Sequence, residues 1–534
     1  MALSSTHVTI GGRPVDPGFL ATASWDHVIV GGGSAGCVLA RRLSEDGDRR
    51  VLLLEAGNEA EDPAIWSPPA WPGLAGGAND WNYASTPQPG LLGRSVAQPR
   101  GKGLGGSTLI NALGFQRGPL RAYDRWAQAT GDPGWGGDGL LPYFRRLEAA
   151  SSGDPEYRGQ DGPLSVLRIS DVAERNPLST AIHEAGVSAG HGANPDWNAE
   201  RCDGTVWTQL TVRDGRRDTA VSAFVDPVRH RPNLCIATGI AVRRIVFDGR
   251  VCTGIEALTS AGPVMIGKVA EVILSAGAID TPRLLMLSGL GDPSMLAAQD
   301  IPVVLDSPEV GRNLQDHPLV PGLLLRARHP VPASRFNHCE SLIIAGSRFM
   351  DEVPDLQIMG LTVPFLSPEL GAPPPDSFSF VPALMAPISV GSLTLGDGKA
   401  LRIDPNYLAE AQDVEALVDA FEISREILSQ PALREWVAAE VHPGPGIRDR
   451  KALAEHIRRT ASPFFHPVST CRMGRDDLAV TDPQCRVRGM EGLRIVDASI
   501  MPSIPQAMTN AAVLALAERA SDSIRGLRGQ PTPA

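Results

Sequence analysis

Apolar positions along this chain recur in two registers, and the switch between them marks the predicted elements. Asp26–Val30 (DHVIV) is a short β-branched run that predicts a buried strand. A glycine-rich turn, GGGSAG, follows. CVLARRLSE then spaces its apolar residues as a helix does, and Arg50–Leu54 (RVLLL) is a second apolar run closed by Glu55. Strand, tight turn, helix and strand make one βαβ unit. Residues 233–260 and 270–276 carry further strand patterns, and a helix is predicted to start near Thr281–Pro282, where proline suits a first turn. Residues 321–400 alternate as strands such as SVGSLTL between Pro-rich loops. Helical spacing returns at 413–429, 450–460 and Asn510–Arg525. Residues 60–165 are rich in Gly, Pro and Trp and give few clear elements.

Composition narrows the function classes. A chain of 534 residues exceeds what one compact core usually holds, so more than one lobe is expected. The formal charge of −11, with no dense Lys/Arg patch, argues against a nucleic-acid partner. Seven scattered cysteines without a CxxC argue against a disulfide framework or a metal knuckle. No stretch approaches the ~18 apolar residues of a membrane span. The N-terminus lacks a signal-peptide pattern and the C-terminal QPTPA carries no targeting or lipidation signal, so cytoplasmic is the expectation.

The strongest local chemistry is the G-x-G-x-x-G frame of Gly31, Gly33 and Gly36, with Ser34 and Ala35 inside it. The first glycine permits the turn, the second lets main chain approach a pyrophosphate, and the third lets helix and strand pack closely. Glu55, 24 residues after Gly31, closes the next strand where ribose hydroxyls are bound, with Ala56 beside it. The unit alone does not separate NAD from FAD.

Three further segments do. They are Pro99–Asn111 (PRGKGLGGSTLIN), Gly277–Gly291 (GAIDTPRLLMLSGLG), and the C-terminal pair His466–Gly474 (HPVSTCRMG) with Val496–Pro502 (VDASIMP). Val310–His317 (VGRNLQDH) and Asp404–Leu408 (DPNYL) fill the gaps. In this order the chain resembles the glucose–methanol–choline (GMC) family of FAD-dependent oxidoreductases across roughly residues 26–525. Its pattern is nearest to bacterial choline-dehydrogenase-like and alcohol dehydrogenase or oxidase members. The resemblance implies an α/β (α+β) fold of two domains, a Rossmann-like FAD-binding domain and a β-sheet substrate-binding domain. The expected division is an N-terminal extension at 1–24, the FAD-binding domain at 25–320 and 485–534, and the substrate domain at 321–484. Segments near 166–210 are candidates to join the latter. The resemblance extends the FAD-binding set to Trp81, Arg100, Gly103, Gly106, Asn111 and Ala112, to Val242, Ala276, Asp497 and Ala498, and to Gln506, Asn510 and Ala511. Some members attach FAD through a histidine at the position held here by Ile110, so FAD is expected to be non-covalent.

Oxidising an alcohol needs a base for the hydroxyl proton and an acceptor for hydride. His466 matches the family's catalytic histidine and Asn510 its second catalytic position. An amide donates a hydrogen bond but cannot be the base, which leaves His466 alone in that role. Phe465 is expected as a wall of the substrate pocket, and Glu340, in the segment NHCE, as a second pocket residue. His317 is expected to pack or to orient a loop. The implied reaction is oxidation of a small primary alcohol to an aldehyde, with O2 or another electron acceptor taking the electrons. A hydroxynitrile-lyase-type reaction or light-driven decarboxylation on the same fold are the alternatives.

Overall fold

The computed structural model describes residues 5–527. The ends of the expected extension and of the FAD-binding domain, residues 1–4 and 528–534, lie outside them, as does QPTPA. The predicted βαβ unit forms as strand Trp25–Val30, helix Ser34–Leu43 and strand Val51–Leu54. Its strands sit at the centre of a seven-stranded sheet. Leu234–Thr238 pairs parallel with Val51–Leu54 on one side, and Val269–Leu274 with Trp25–Val30 on the other, followed by Leu493–Ile495. These strands read as unbroken apolar runs because both faces are covered. Helices Ser34–Leu43 and Thr509–Arg525 pack on each other within the same core.

Two expected boundaries shift. The described part of the expected extension, residues 5–24, joins the first domain: His7–Ile10 pairs antiparallel with Leu234–Thr238 and adds an edge to the first sheet, while Leu20 is buried in its core. The boundary at 484/485 also moves, because Val468, Cys471, Met473 and Val480 lie in the first core beside Ile495.

The second sheet runs Val437–His442, Leu323–Ala327, Ser377–Leu384, Leu356–Leu361, Ser341–Ala345, Gly204–Trp207 and Ala193–Asn194. Its last two strands bring part of 166–210 into this lobe, and helix Pro177–Gly186 packs on it. Side chains alternate between its faces. Ile343, Ile358, Phe378 and Phe380 pack with Leu417 and Phe421 of helix Ala411–Leu428. Leu342, Ile344, Met359, Leu361 and Val381 pack on the other face, with Trp197. That second face turns toward the first domain. Among the described residues no helix is long and apolar enough to cross a membrane.

Candidate active site

A cavity of about 1050 Å³ runs from the glycine-rich turn to the inner face of the second sheet. It is at or above the ~300–1,000 Å³ usual for small-ligand pockets, so it has room for a ligand of dinucleotide size. Of the expected cofactor residues, Gly31, Gly33, Ser34, Ala35, Glu55, Ala56, Trp81, Arg100, Gly106, Asn111, Ala112, Val242, Ala276, Asp497, Ala498 and Asn510 line it.

The glycines are there because backbone meets backbone. A Cβ on Gly36 would stand 1.9 Å from the Gly31 carbonyl oxygen, which fixes how closely helix Ser34–Leu43 crosses the strand before it. Gly106, at φ +53°, faces Gly33 so closely that a Cβ would come within 2.7 Å of the Gly33 Cα. Two glycine loops thus form one cradle, and the N-terminus of helix Ser34–Leu43 enters it without a side-chain cap. Its N–H groups remain open for an anion.

Glu55 ties the cradle together. Oε2 accepts from Gly32 N–H at 2.9 Å, and Oε1 accepts from Gly57 and Gly103 N–H at 2.8 and 3.2 Å. A carboxylate offers about four acceptor positions, so about one stays free for a ribose hydroxyl. Burial pushes the Glu55 carboxyl up to about 7, against the three N–H donors that favour its charged form. Asp497 also lines the cavity, but its oxygens are taken by Gly277 N–H, Thr281 Oγ1 and Ser499, so it orders the loop rather than waiting for a ligand.

At the far end His466 and Phe465 stand on the cavity wall. Phe465 has φ +67°, a strained conformation for a bulky side chain. Two clamps hold it. Arg100 Nη2 donates to the Phe465 carbonyl at 2.5 Å, and the next N–H, that of His466, donates to Asp316 Oδ1 at 2.6 Å. Asp316 Oδ2 accepts from Tyr407 OH at 2.5 Å. Burial raises the Asp316 carboxyl to about 6.

The imidazole of His466 is held by a second histidine. His317 Nε2 lies 3.1 Å from the Met385 carbonyl, which can only accept, so that nitrogen carries the proton. His317 Nδ1 is then an acceptor. It lies 3.0 Å from His466 Nδ1, which must donate. The chain of assignments leaves His466 Nε2 with the lone pair. Burial pushes His317 down to about 3, and burial with the neighbouring His317 and Arg100 lowers His466 well below the ordinary imidazole range, so both rings are neutral near pH 7. Asn510, in the first turn of helix Thr509–Arg525, accepts from Ser34 Oγ at 2.7 Å through Oδ1. Its NH2 group is the end left to donate.

Some expected residues fall elsewhere. Gly36 and Gly103 lie behind the wall and shape it. Gln506 and Ala511 are buried outside the cavity. Glu340 is not a pocket residue: its Oε1 accepts from Ser334 Oγ and its Oε2 from the N–H of Asn176, the residue capping helix Pro177–Gly186. A buried carboxylate takes whichever donors satisfy it, and here they lie on the side away from the cavity. His317, expected to pack or to orient a loop, instead holds the His466 imidazole, and its place directly after Asp316 in VGRNLQDH is the signal for it. The apolar wall of Trp71, Trp197, Leu319, Met359, Leu361, Phe365, Phe464 and Met508 gave no local signal at all.

Known proteins match most of the chain. The N-terminal GMC oxidoreductase family model matches residues 25–319 and the C-terminal one residues 387–517. Pyridoxine 4-oxidase of Microbacterium luteolum is 39% identical over 505 residues, covering 93% of this chain and 98% of the relative. The oxygen-dependent choline dehydrogenase of Pseudomonas aeruginosa (strain LESB58) is 38% identical over 546 residues, covering 95% and 96%. Among solved structures, pyridoxine 4-oxidase from Mesorbium loti superposes with a TM-score of 0.91 at 38% identity, covering 94% of this chain and 99% of that one. Formate oxidase of Aspergillus oryzae RIB40 gives 0.87 at 25%, covering 94% and 98%. The chain belongs to the GMC oxidoreductase family.

Proposed function

We propose that this protein holds FAD non-covalently in the cavity and oxidises a small primary alcohol to an aldehyde, with His466 as the base. The observation that carries the proposal is the His317–His466 pair, which leaves His466 Nε2 unprotonated on the cavity wall. Bound FAD supplies an acceptor for the hydride from the alcohol carbon. His466 Nε2 takes the hydroxyl proton, and the Asn510 amide donates to the substrate oxygen and orients it. The glycine cradle, Glu55 and the open helix start fit the phosphates and ribose of a dinucleotide. Ile110 lines the cavity where some relatives attach the flavin, and an alkyl side chain forms no such bond.

The substrate end suits an alcohol with an aromatic or apolar body, and among the described residues it offers a choline-like cation no free carboxylate. Trp71, Trp197, Met359, Phe365 and Phe464 line it. Among the described residues the carboxylates on the wall are Glu55, Asp280 and Asp497. The first closes the cradle, Asp280 accepts from Tyr83 OH, and Asp497 is saturated.

The test is anaerobic bleaching of the flavin by pyridoxine, benzyl alcohol and choline, repeated in air with peroxide detection to identify the acceptor. Bleaching by the first two and not by choline is expected. Denaturation in acid should release all the flavin. His466→Ala should slow reduction by roughly 10²–10⁴-fold. A variant that bleaches at the parent rate would remove His466 from the mechanism, and an unbleached flavin would return the lyase or decarboxylase chemistry to consideration.

A further inference from the structure

Arg217 is a buried cation without a counter-ion among the described residues. It sits at the end of the short strand Arg216–Arg217 and is 3% exposed. Its Nε donates to the Ile65 carbonyl at 2.7 Å, and its Nη1 to the Asn111 carbonyl and Asn111 Oδ1, both at 2.7 Å, and to the Thr108 carbonyl at 3.3 Å. Nη2 is buried with no partner among the described residues. Every acceptor is a neutral oxygen. Burial alone pulls the guanidinium down to about 9, with no neighbouring carboxylate to hold it up. Arg158, buried as deeply, lies instead between Glu148 and Asp196, both at 2.8 Å.

An unpaired buried charge costs several kcal/mol, and hydrogen bonds to carbonyls repay only part of it. A neutral amide could clamp the same loop. The charge therefore asks for an anion, and the cavity lined by its partner Asn111 is the place for one. Ser107, Ile110, Asn111 and Ala112 line the cavity, and Asn111 is bonded directly to the guanidinium. Asn111 transmits the field. Its Oδ1 is consumed by Arg217 Nη1 and by Leu113 N–H at 3.1 Å, so its NH2 group is the end without an internal acceptor.

We propose that Arg217 is the buried cation that stabilises the negative charge arriving on the flavin ring, acting through Asn111 and the wall it holds. A flavin bound here would become one unit more negative on accepting hydride, with the hydroxyl proton taken by His466. A fixed positive charge, already desolvated, favours that state without reorganisation. Arg217 does not touch substrate; it sets the electron affinity of the site, and oxidation of any alcohol here draws on it. The proposal rests on the reading that the cavity takes FAD, and a protein purified without flavin absorbance would defeat that reading first.

The test uses FAD-loaded parent enzyme with Arg217→Gln and Arg217→Lys. The readouts are the dissociation constant of the sulfite–flavin adduct, which also places negative charge on the ring, and the flavin midpoint potential from dye titration. R217Q keeps donors and loses the charge. It should weaken sulfite binding by on the order of tenfold or more, as expected for one charge near the ring at an effective dielectric constant of about 20. A tenfold change corresponds to a potential about 30 mV lower for a two-electron couple. R217K keeps the charge and should stay within about threefold of the parent, a difference under 1 kcal/mol. An R217Q enzyme with unchanged sulfite affinity and potential overturns the proposal. So does an equal fall in R217Q and R217K, which would make the residue a clamp of geometry rather than charge. If R217Q does not load flavin, R217K decides alone: parent-like values support the proposal and a tenfold loss refutes it.

Discussion

Replacing His317 by phenylalanine tests the assignment of protons in the site, because His317 touches no reacting atom. The ring shape is kept while the acceptor for His466 Nδ1–H, now at 3.0 Å, is lost. A buried N–H left without a partner costs about 1–3 kcal/mol. His466 avoids that cost by moving its proton to Nε2, the nitrogen not bonded to His317, and in doing so ceases to be a base. The base-competent form should therefore fall by about 5- to 150-fold, the factor equivalent to that energy. Stopped-flow reduction of the flavin under anaerobic conditions reads this directly. The limiting rate should drop while the apparent dissociation constant of the alcohol holds, since no substrate contact has changed. His317→Asn supplies the control: its Oδ1 takes the place of the imidazole Nδ1 and should restore most of the rate. A His317→Phe enzyme reducing its flavin at the parent rate would falsify the tautomer argument. An Asn variant as slow as the Phe variant, with full flavin content in both, would count equally against it.

Gly106→Ala should abolish flavin loading, because the new methyl would stand 2.7 Å from the Gly33 Cα at a positive φ; the ratio of flavin to protein absorbance measures it. Glu55 gives a pH signature in flavin-stripped protein. Its folded-state pKa of about 7 lies above the ordinary 4.5, so the folded chain holds a proton that the unfolded chain has released between those values. Stability is thus fully present below pH 4.5, is lost as pH rises through 7, and the total is at most about 3 kcal/mol. Urea unfolding of parent and Glu55→Gln across that window should show the slope in the parent only, and parallel curves would refute it. Glu340→Ala should destabilise by about 1–3 kcal/mol, since Ser334 and the Asn176 N–H lose their acceptor. Its kcat/KM for alcohols should stay near the parent value, and a selective loss of choline turnover would put the carboxylate back in the pocket.

The parts of the fold legible in the sequence were those governed by local rules. The βαβ unit and the helices Ala411–Leu428, Arg450–Thr460 and Thr509–Arg525 declare themselves by periodicity. Helix Gly137–Leu147 does not, because Gly137, Gly139 and Pro142 disguise it and tertiary packing of Leu140, Phe144 and Leu147 overrides propensity. Helix Pro177–Gly186 has its signal in Asn176–Pro177, a cap followed by a first-turn proline, but lies in a segment without a long apolar run. In the site, the glycine cradle was legible because backbone approach admits one residue type. The apolar wall was not, since its residues come from positions 71 to 508 and any large apolar side chain would serve. Glu340 misled for a related reason. Sequence gives the residue but not the direction its carboxylate faces, and a capped helix start claimed it first.

The pairing of His7–Ile10 with Leu234–Thr238 bears on how this protein can be handled. The family match begins at residue 25, which invites a recombinant version trimmed to that point. Such a version would strip the strand from one side of Leu234–Thr238, whose residues are all buried, and expose its main-chain groups to solvent. An uncovered apolar edge recruits other chains, so the shortened enzyme is expected to aggregate on expression even with every residue of its chemistry intact.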